Sequence, residues 1–174
     1  MKPKNIIIGL SLTFMVMAFQ VSAQKCKYDY EKTDEFTGEK SKGNTMQLNN
    51  WWYLGFNKVG EKYNLGLYMR LNGEKNLYLE QGDSIIFKFS DGSFLTLYAR
   101  ERYAPESQVV VALSTAGVIN IYRAVYDIPS EKMEILKNNT VTHVKVNISH
   151  LVYQKELKEK TGEKFRKNAV CIIE

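Results

Sequence analysis

Apolar and polar positions alternate with a period of two through most of the chain from Lys27 onward, and helical periodicity enters only late. Runs rich in Val, Ile, Tyr, Phe and Trp, separated by Gly, Asp or Asn, predict strands over 27–33, 45–50, 51–58, 62–71, 76–81, 84–90, 93–100, 108–114, 118–127, 141–148 and 151–157. No proline interrupts them between Pro3 and Pro105. Two helices are predicted. Ser130, after Pro129, caps a short one carrying Met133 and Leu136, and Thr161 caps a terminal one whose Phe165, Ala169 and Ile172 fall at i, i+4 and i+7. Gly162 weakens any longer helix reaching back to Leu157, so the terminal helix is expected to start after it. The fold expected is a single α+β domain over 24–174. A predominantly antiparallel β-sheet forms a sandwich or partial barrel, with the short helix and the C-terminal helix packed on it.

Two hairpins can be read in register. If Gly60-Glu61 is a two-residue loop, the numbers of facing residues add to 121. One face then receives Trp52/Met69, Leu54/Leu67 and Phe56/Leu65, all apolar and turned to the core. The other receives Trp51/Arg70, Tyr53/Tyr68, Gly55/Gly66 and Asn57/Asn64. The second hairpin, around Asp91-Gly92 with partners adding to 183, pairs Phe89/Phe94, Phe87/Thr96 and Ile85/Tyr98 on one face. Lys88/Leu95 and Ile86/Leu97 fall on its other face, which predicts a central hairpin covered on both sides.

The Gly55/Gly66 pair admits two readings. Glycines in strands mark a bend or the close approach of another element, and large aromatics serve as cover. Alternatively, bare backbone beside two Tyr, a Trp, an Arg and two Asn offers stacking and hydrogen bonds to a sugar or another flat polar ligand. On that second reading the ligand-binding residues are Trp51, Tyr53, Tyr68, Arg70, Asn57 and Asn64.

Residues 1–23 read as a signal peptide. Lys2 and Lys4 form a basic start, residues 6–19 an uncharged and mostly apolar stretch, and Val21-Ser22-Ala23 a cleavage site leaving Gln24 first. The stretch falls short of the roughly 20 residues a membrane-spanning helix needs, so no span is expected in the mature chain. Lys25 stands before Cys26 where lipid attachment needs a small residue, which argues against a lipid anchor. Removing the signal lowers the formal charge from +5 to +3 over 151 residues, so part of the basicity is a sorting signal. The remaining bases cluster over 155–167, interleaved with Glu156, Glu159 and Glu163 as on a solvated surface. Export and the lack of a recognition motif argue against a nucleic-acid partner.

Export also predicts an oxidising compartment, and two cysteines allow one intramolecular pairing, Cys26–Cys171. Such a staple closes a loop of 145 residues and on the chain-entropy model stabilises by up to about 5 kcal/mol. Two buried free thiols are the alternative.

Little else points to chemistry. His143 alternates with Val144, Val146 and Ile148 and so points away from the core, and His150 sits at a turn; both are expected to be exposed and not catalytic. Their spacing fits no metal site, and no nucleophile elbow, phosphate loop or dinucleotide fingerprint is present, so neither metal nor cofactor is expected. A carboxylate-pair hydrolase stays open through Asp34, Glu35, Glu80, Asp83 and Asp91, although turn chemistry accounts for most of these.

Cys26-Lys27-Tyr28, the segment 34–38 (DEFTG), the segment 82–87 (GDSIIF) leading into Ser90-Asp91-Gly92, and a Lys- and Glu-rich helix ending Asn168-Ala169-Val170-Cys171-Ile172 resemble a group of small exported proteins of Bacteroidetes bacteria. The resemblance covers nearly all the mature chain and implies compartment and architecture; it carries no functional residue. The expectation is an exported, periplasmic or secreted, non-enzymatic binding or interaction module of the envelope, with a glycan or envelope protein as partner. The carboxylate hydrolase and a structural envelope component are the alternatives, the latter marked by a long unpaired edge strand.

Overall fold

The computed structural model describes residues 26–73, 77–112 and 115–174. The expected signal segment, the first residue of the strand expected at 76–81 and the end of that at 108–114 lie outside the described residues. The chain runs β1 (Tyr30–Thr33), β2 (Lys40–Asn49), β3 (Trp52–Val59), β4 (Lys62–Asn72), β5 (Ser84–Phe89), β6 (Phe94–Tyr98), β7 (Glu106–Ala112), β8 (Thr115–Ile128), α1 (Ser130–Asn138), β9 (Val141–Ile148), β10 (Leu151–Glu156) and α2 (Glu159–Ile173). A six-stranded sheet has the order β1-β2-β3-β4-β8-β7 and a four-stranded sheet β10-β9-β5-β6. Every neighbouring pair is antiparallel.

The sheets enclose one apolar core and meet on one side, where Ala99 bridges Tyr126 and the Arg100 N–H donates to the Val125 carbonyl at 3.0 Å. On the other side α2 packs against β2, β3 and β9. Its Phe165 ring stands 4.8 Å from Phe56 of one sheet and 5.1 Å from Phe87 of the other, joining them. Among the described residues no helix is long and apolar enough to cross a membrane.

The Cys26–Cys171 disulfide is formed, with Cα atoms 5.4 Å apart. It pins the chain ahead of β1 to the last turn of α2. The Cys171 carbonyl there accepts from Tyr28 Oη at 2.8 Å and Lys42 Nζ at 3.1 Å, a cation where the helix dipole favours one.

The β3–β4 hairpin has the expected register, with Gly60 at φ +56° and partners adding to 121. The β5–β6 hairpin does not. Its partners add to 182, because the loop holds three residues, Ser90-Asp91-Gly92, with Gly92 at φ +86° in the third place. The one-residue slip changes which side chains share a face. Ile85, Phe87, Leu95 and Leu97 are buried together, while Phe94 and Tyr98 point outward, 65% and 59% exposed. The hairpin is therefore uncovered on its outer side, and β6 is an edge strand.

The helices also depart from expectation. Ser130 is the first helical residue of α1, with Pro129 at the cap position and no side-chain cap. In α2 Thr161 and Gly162 lie inside the helix, which starts at Glu159. A Cβ on Gly162 would stand 2.1 Å from the Val141 carbonyl oxygen, so this glycine lets the first turn of α2 rest directly on β9. In the described part of the segment expected as a strand at 76–81, residues 77–81, Leu79 makes an isolated bridge to Tyr103 in place of a strand.

Candidate functional site

The outward face of β3, β4 and β8 carries the cluster anticipated from the first hairpin. Tyr53 and Tyr68 are cross-strand partners with ring centroids 5.6 Å apart, edge to face. Arg70, two residues further on the same face of β4, donates from Nε to Tyr68 Oη at 2.7 Å, and its guanidinium lies 5.3 Å from the Tyr68 ring. From β8, Arg123 pairs with Tyr68 in register, lies 5.3 Å from the same ring, and forms an ion pair with Glu106 of β7. That carboxylate holds the Arg123 guanidinium above its ordinary pKa.

On the other side of the glycine pair, Asn57 donates to Asn64 Oδ1 at 2.9 Å and accepts from Tyr30 Oη at 3.1 Å. Tyr30 reaches it by lying over Gly43, where an added Cβ would meet the ring at 2.4 Å. Burial pushes the Tyr30 hydroxyl above the ordinary tyrosine pKa. Trp51 sits at the β2–β3 turn, where Asn49 Oδ1 accepts the N–H groups of Trp51 and Trp52 at 2.8 and 2.9 Å. The Trp51 carbonyl takes the Arg70 N–H at 2.9 Å.

Between these groups lies an open depression of about 440 Å³ with Gly55 and Gly66 in its floor and Tyr53, Asn57, Tyr68, Tyr103 and Arg123 around it. Of the six expected residues, Tyr53, Tyr68 and Asn57 line it, and Asn64 holds Asn57. Trp51 and Arg70 stand beyond Tyr68 at one end. Arg123 and Tyr103 were not legible as members. The pairing of β8 with β4 spans a long connection rather than a tight turn, so no local signal sets its register.

The two glycines differ. A Cβ on Gly55 would meet Thr45 Oγ1 at 3.2 Å and the Asn44 carbonyl at 3.3 Å, a tight fit against β2. A Cβ on Gly66 would find nothing closer than 3.8 Å, and its φ is not positive. Packing accounts for Gly55; neither packing nor backbone conformation calls for glycine at 66.

The other candidate groups do not converge. Asp34 Oδ1 accepts the N–H groups of Phe36 and Thr37 and the Thr37 hydroxyl at the β1–β2 turn. Asp91 accepts from Ser93 at the β5–β6 turn. These bonds hold both acids below the usual carboxylate range. Asp83 accepts from the N–H groups of Glu80 and Ser149, Glu80 pairs with Arg102, and Glu35 is exposed at the β1–β2 turn. His150 is exposed as expected. His143 is instead half-buried, opposite Lys88 and Glu156, with Nδ1 3.1 Å from Thr142 Oγ1. The depression of about 740 Å³ beside it also holds Glu163. Thr140 and Arg166 bond that carboxylate and lower its pKa, the opposite of what a general acid requires. Among the described residues no three His, Cys, Asp or Glu side chains are grouped to hold a metal.

Fold and site together define an antiparallel β protein that carries a shallow, aromatic-walled depression on an outward sheet face. No protein-family model, no curated protein and no solved structure matches the chain.

Proposed function

We propose that this protein is an exported, non-enzymatic binding module of the bacterial envelope, taking a sugar or another flat polar ligand over Gly66 against Tyr53 and Tyr68. The carrying observation is Gly66. It lies in the floor of an open depression, with room for a side chain that the sequence does not supply. The walls are amphipathic aromatics and amides, held in place by one another. Export rests on the signal-like segment, on a disulfide that suits an oxidising compartment and on the resemblance to exported Bacteroidetes proteins.

Binding on a glycan array is expected for the wild type and should be lost in Gly66→Leu and Tyr68→Ala, with Gly66→Leu keeping the wild-type thermal midpoint. A wild type that retains nothing, or a Gly66→Leu protein that binds as before, ends this reading. The carboxylate-pair hydrolase has less support, because Asp34, Asp83 and Asp91 are committed to backbone N–H groups at turns and Glu80 to Arg102.

One observation favours a second reading, assembly through an edge strand. Along β7, residues 107–111 carry no charge, and Val109 and Val111 are each 72% exposed. The other sheet edges are guarded. β1 carries Glu31 and Lys32, β10 carries Lys155 and Glu156, and on β6 Lys132 Nζ takes the Thr96 carbonyl at 2.8 Å. A second copy of this chain is the occupant an uncharged strand accepts in antiparallel self-pairing, since no like charges then meet. Sedimentation equilibrium should show a dimer that Val110→Lys abolishes; a wild type that stays monomeric at about 100 μM rules it out, being far above the μM dissociation constants of ordinary specific contacts.

A further inference from the structure

The chain has five arginines, and four of them are paired with carboxylates: Arg100 with Asp127, Arg102 with Glu80, Arg123 with Glu106 and Arg166 with Glu163. Arg70 is the only one without an acid among the described residues. It is nonetheless held. Its Nε–H is committed to Tyr68 Oη, which fixes the plane of the guanidinium and leaves both Nη amino groups for something else. Tyr68 Oη, having accepted from Arg70, keeps its own proton to donate.

Among the described residues, the acids on this side of the sheet nearest the cluster are already neutralised. Glu106 is bound to Arg123, and Asp127, which faces Asn64 in register, is bound to Arg100. Among the described residues Arg70 is therefore the uncompensated arginine of the face. A fixed guanidinium fork with free Nη groups matches an oxyanion bidentately, which a lysine ammonium does not. Gly66, Tyr68 and Arg70 occupy successive positions on one face of β4, spaced about 7 Å apart by the strand repeat. A ligand lying along β4 thus places one ring over Gly66, a second on Tyr68 and a charge at Arg70.

We infer that the ligand of this face is an anionic saccharide whose carboxylate or sulfate is gripped by Arg70, with its sugar rings on Tyr68 and over Gly66. This rests on the sugar-binding reading above and adds the charge to it.

Titration calorimetry on the full mature protein separates the two. The probes are trigalacturonate against its methyl ester, sialyllactose against lactose, and sulfated galactotriose against galactotriose. In at least one pair the anionic member should bind tenfold or more tighter than its neutral counterpart. Arg70→Gln should erase that preference, Arg70→Lys should restore only part of it, and Arg102→Gln should leave it unchanged. The pair that responds identifies the oxyanion as carboxylate or sulfate. If neutral and anionic members bind alike, or the preference survives Arg70→Gln, the charge assignment is overturned while sugar binding stands. If no member of any pair binds, both fall together. Arg70 is exposed on the surface, so a wild-type thermal midpoint in Arg70→Gln shows that any loss is local.

Discussion

Two outward faces of this molecule carry aromatics beside cations, and they are not equivalent. On the four-stranded sheet, Phe94 and Tyr98 stand apart on β6, Lys88 lies 5.9 Å from the Phe94 ring and Lys132 lies 6.0 Å from the Tyr98 ring. On the six-stranded sheet, Tyr53 meets Tyr68 edge to face, Tyr68 holds Arg70, and Tyr30, Asn57 and Asn64 form a chain of hydrogen bonds. Between these groups the backbone is bare at Gly66. The first face has the composition of a recognition surface without its organisation. In the second, each polar group is oriented by another, so the entropy of arranging them has already been lost on folding. The contrast shows that two faces alike in aromatic and cationic content differ in how far their groups restrain one another and in whether those groups surround an open floor.

The comparison can be broken first by removing what the faces share. Replacing Cys26 and Cys171 by Ser frees the end of α2 and should cost up to about 5 kcal/mol, read by urea unfolding in oxidising buffer. Hydrogen exchange should then rise in β1 and β2, beside the staple, before it rises in β6. Phe165→Ala empties the contact between Phe56 and Phe87 and should cost about 3–5 kcal/mol. Because that ring touches both sheets, exchange should increase in β3 and β5 alike. An increase confined to one sheet would show that the core is not shared.

The glycines sharpen the comparison at smaller scale. Gly55→Ala should destabilise by about 1–2 kcal/mol, since its methyl meets Thr45 and the Asn44 backbone. Gly66→Ala should instead stabilise by about 0.5 kcal/mol, because the methyl fits and the unfolded chain loses freedom. Equal costs in chemical denaturation would remove the argument that Gly66 is spare. The last test lies where the sheets meet, and an effect of zero there leaves the comparison of the faces intact. Tyr126 is buried in the core with no partner for its hydroxyl among the described residues, and burial pushes that group far above the ordinary tyrosine pKa. Tyr126→Phe should therefore be neutral or stabilising by up to about 1 kcal/mol, and a clear loss would reveal a bonding role for the hydroxyl.

What is legible in the amino-acid sequence is local. The β3–β4 register follows from a two-residue loop and period-two patterning, which by themselves put Tyr53, Tyr68, Asn57, Asn64, Gly55 and Gly66 on one face. The same patterning fails at β5–β6 because Asp91-Gly92 fits either the whole of a two-residue loop or the end of a three-residue one. Gly162 misleads for a related reason: its helix-weakening tendency is local, whereas the contact with Val141 that requires it is tertiary. Cys26–Cys171 is within reach because two cysteines have one pairing. Arg123 and Tyr103 are not, since the positions of β8 and of the segment after β6 depend on long-range closure. Whether the glycine pair is scaffold or floor depends on the neighbours of each Cβ, which no alternation of residue types encodes.

The position of Phe165 and Cys171 also bears on how the molecule comes into being. Cys26 is made early, but its partner follows 145 residues later, and the ring that joins the sheets belongs to the same last element. A chain emerging from a ribosome or a translocation pore therefore carries an unpaired thiol and an unfilled core through nearly the whole of its synthesis. Neither the contact that joins the sheets nor the staple can be completed before α2 has been made, because both depend on that one element.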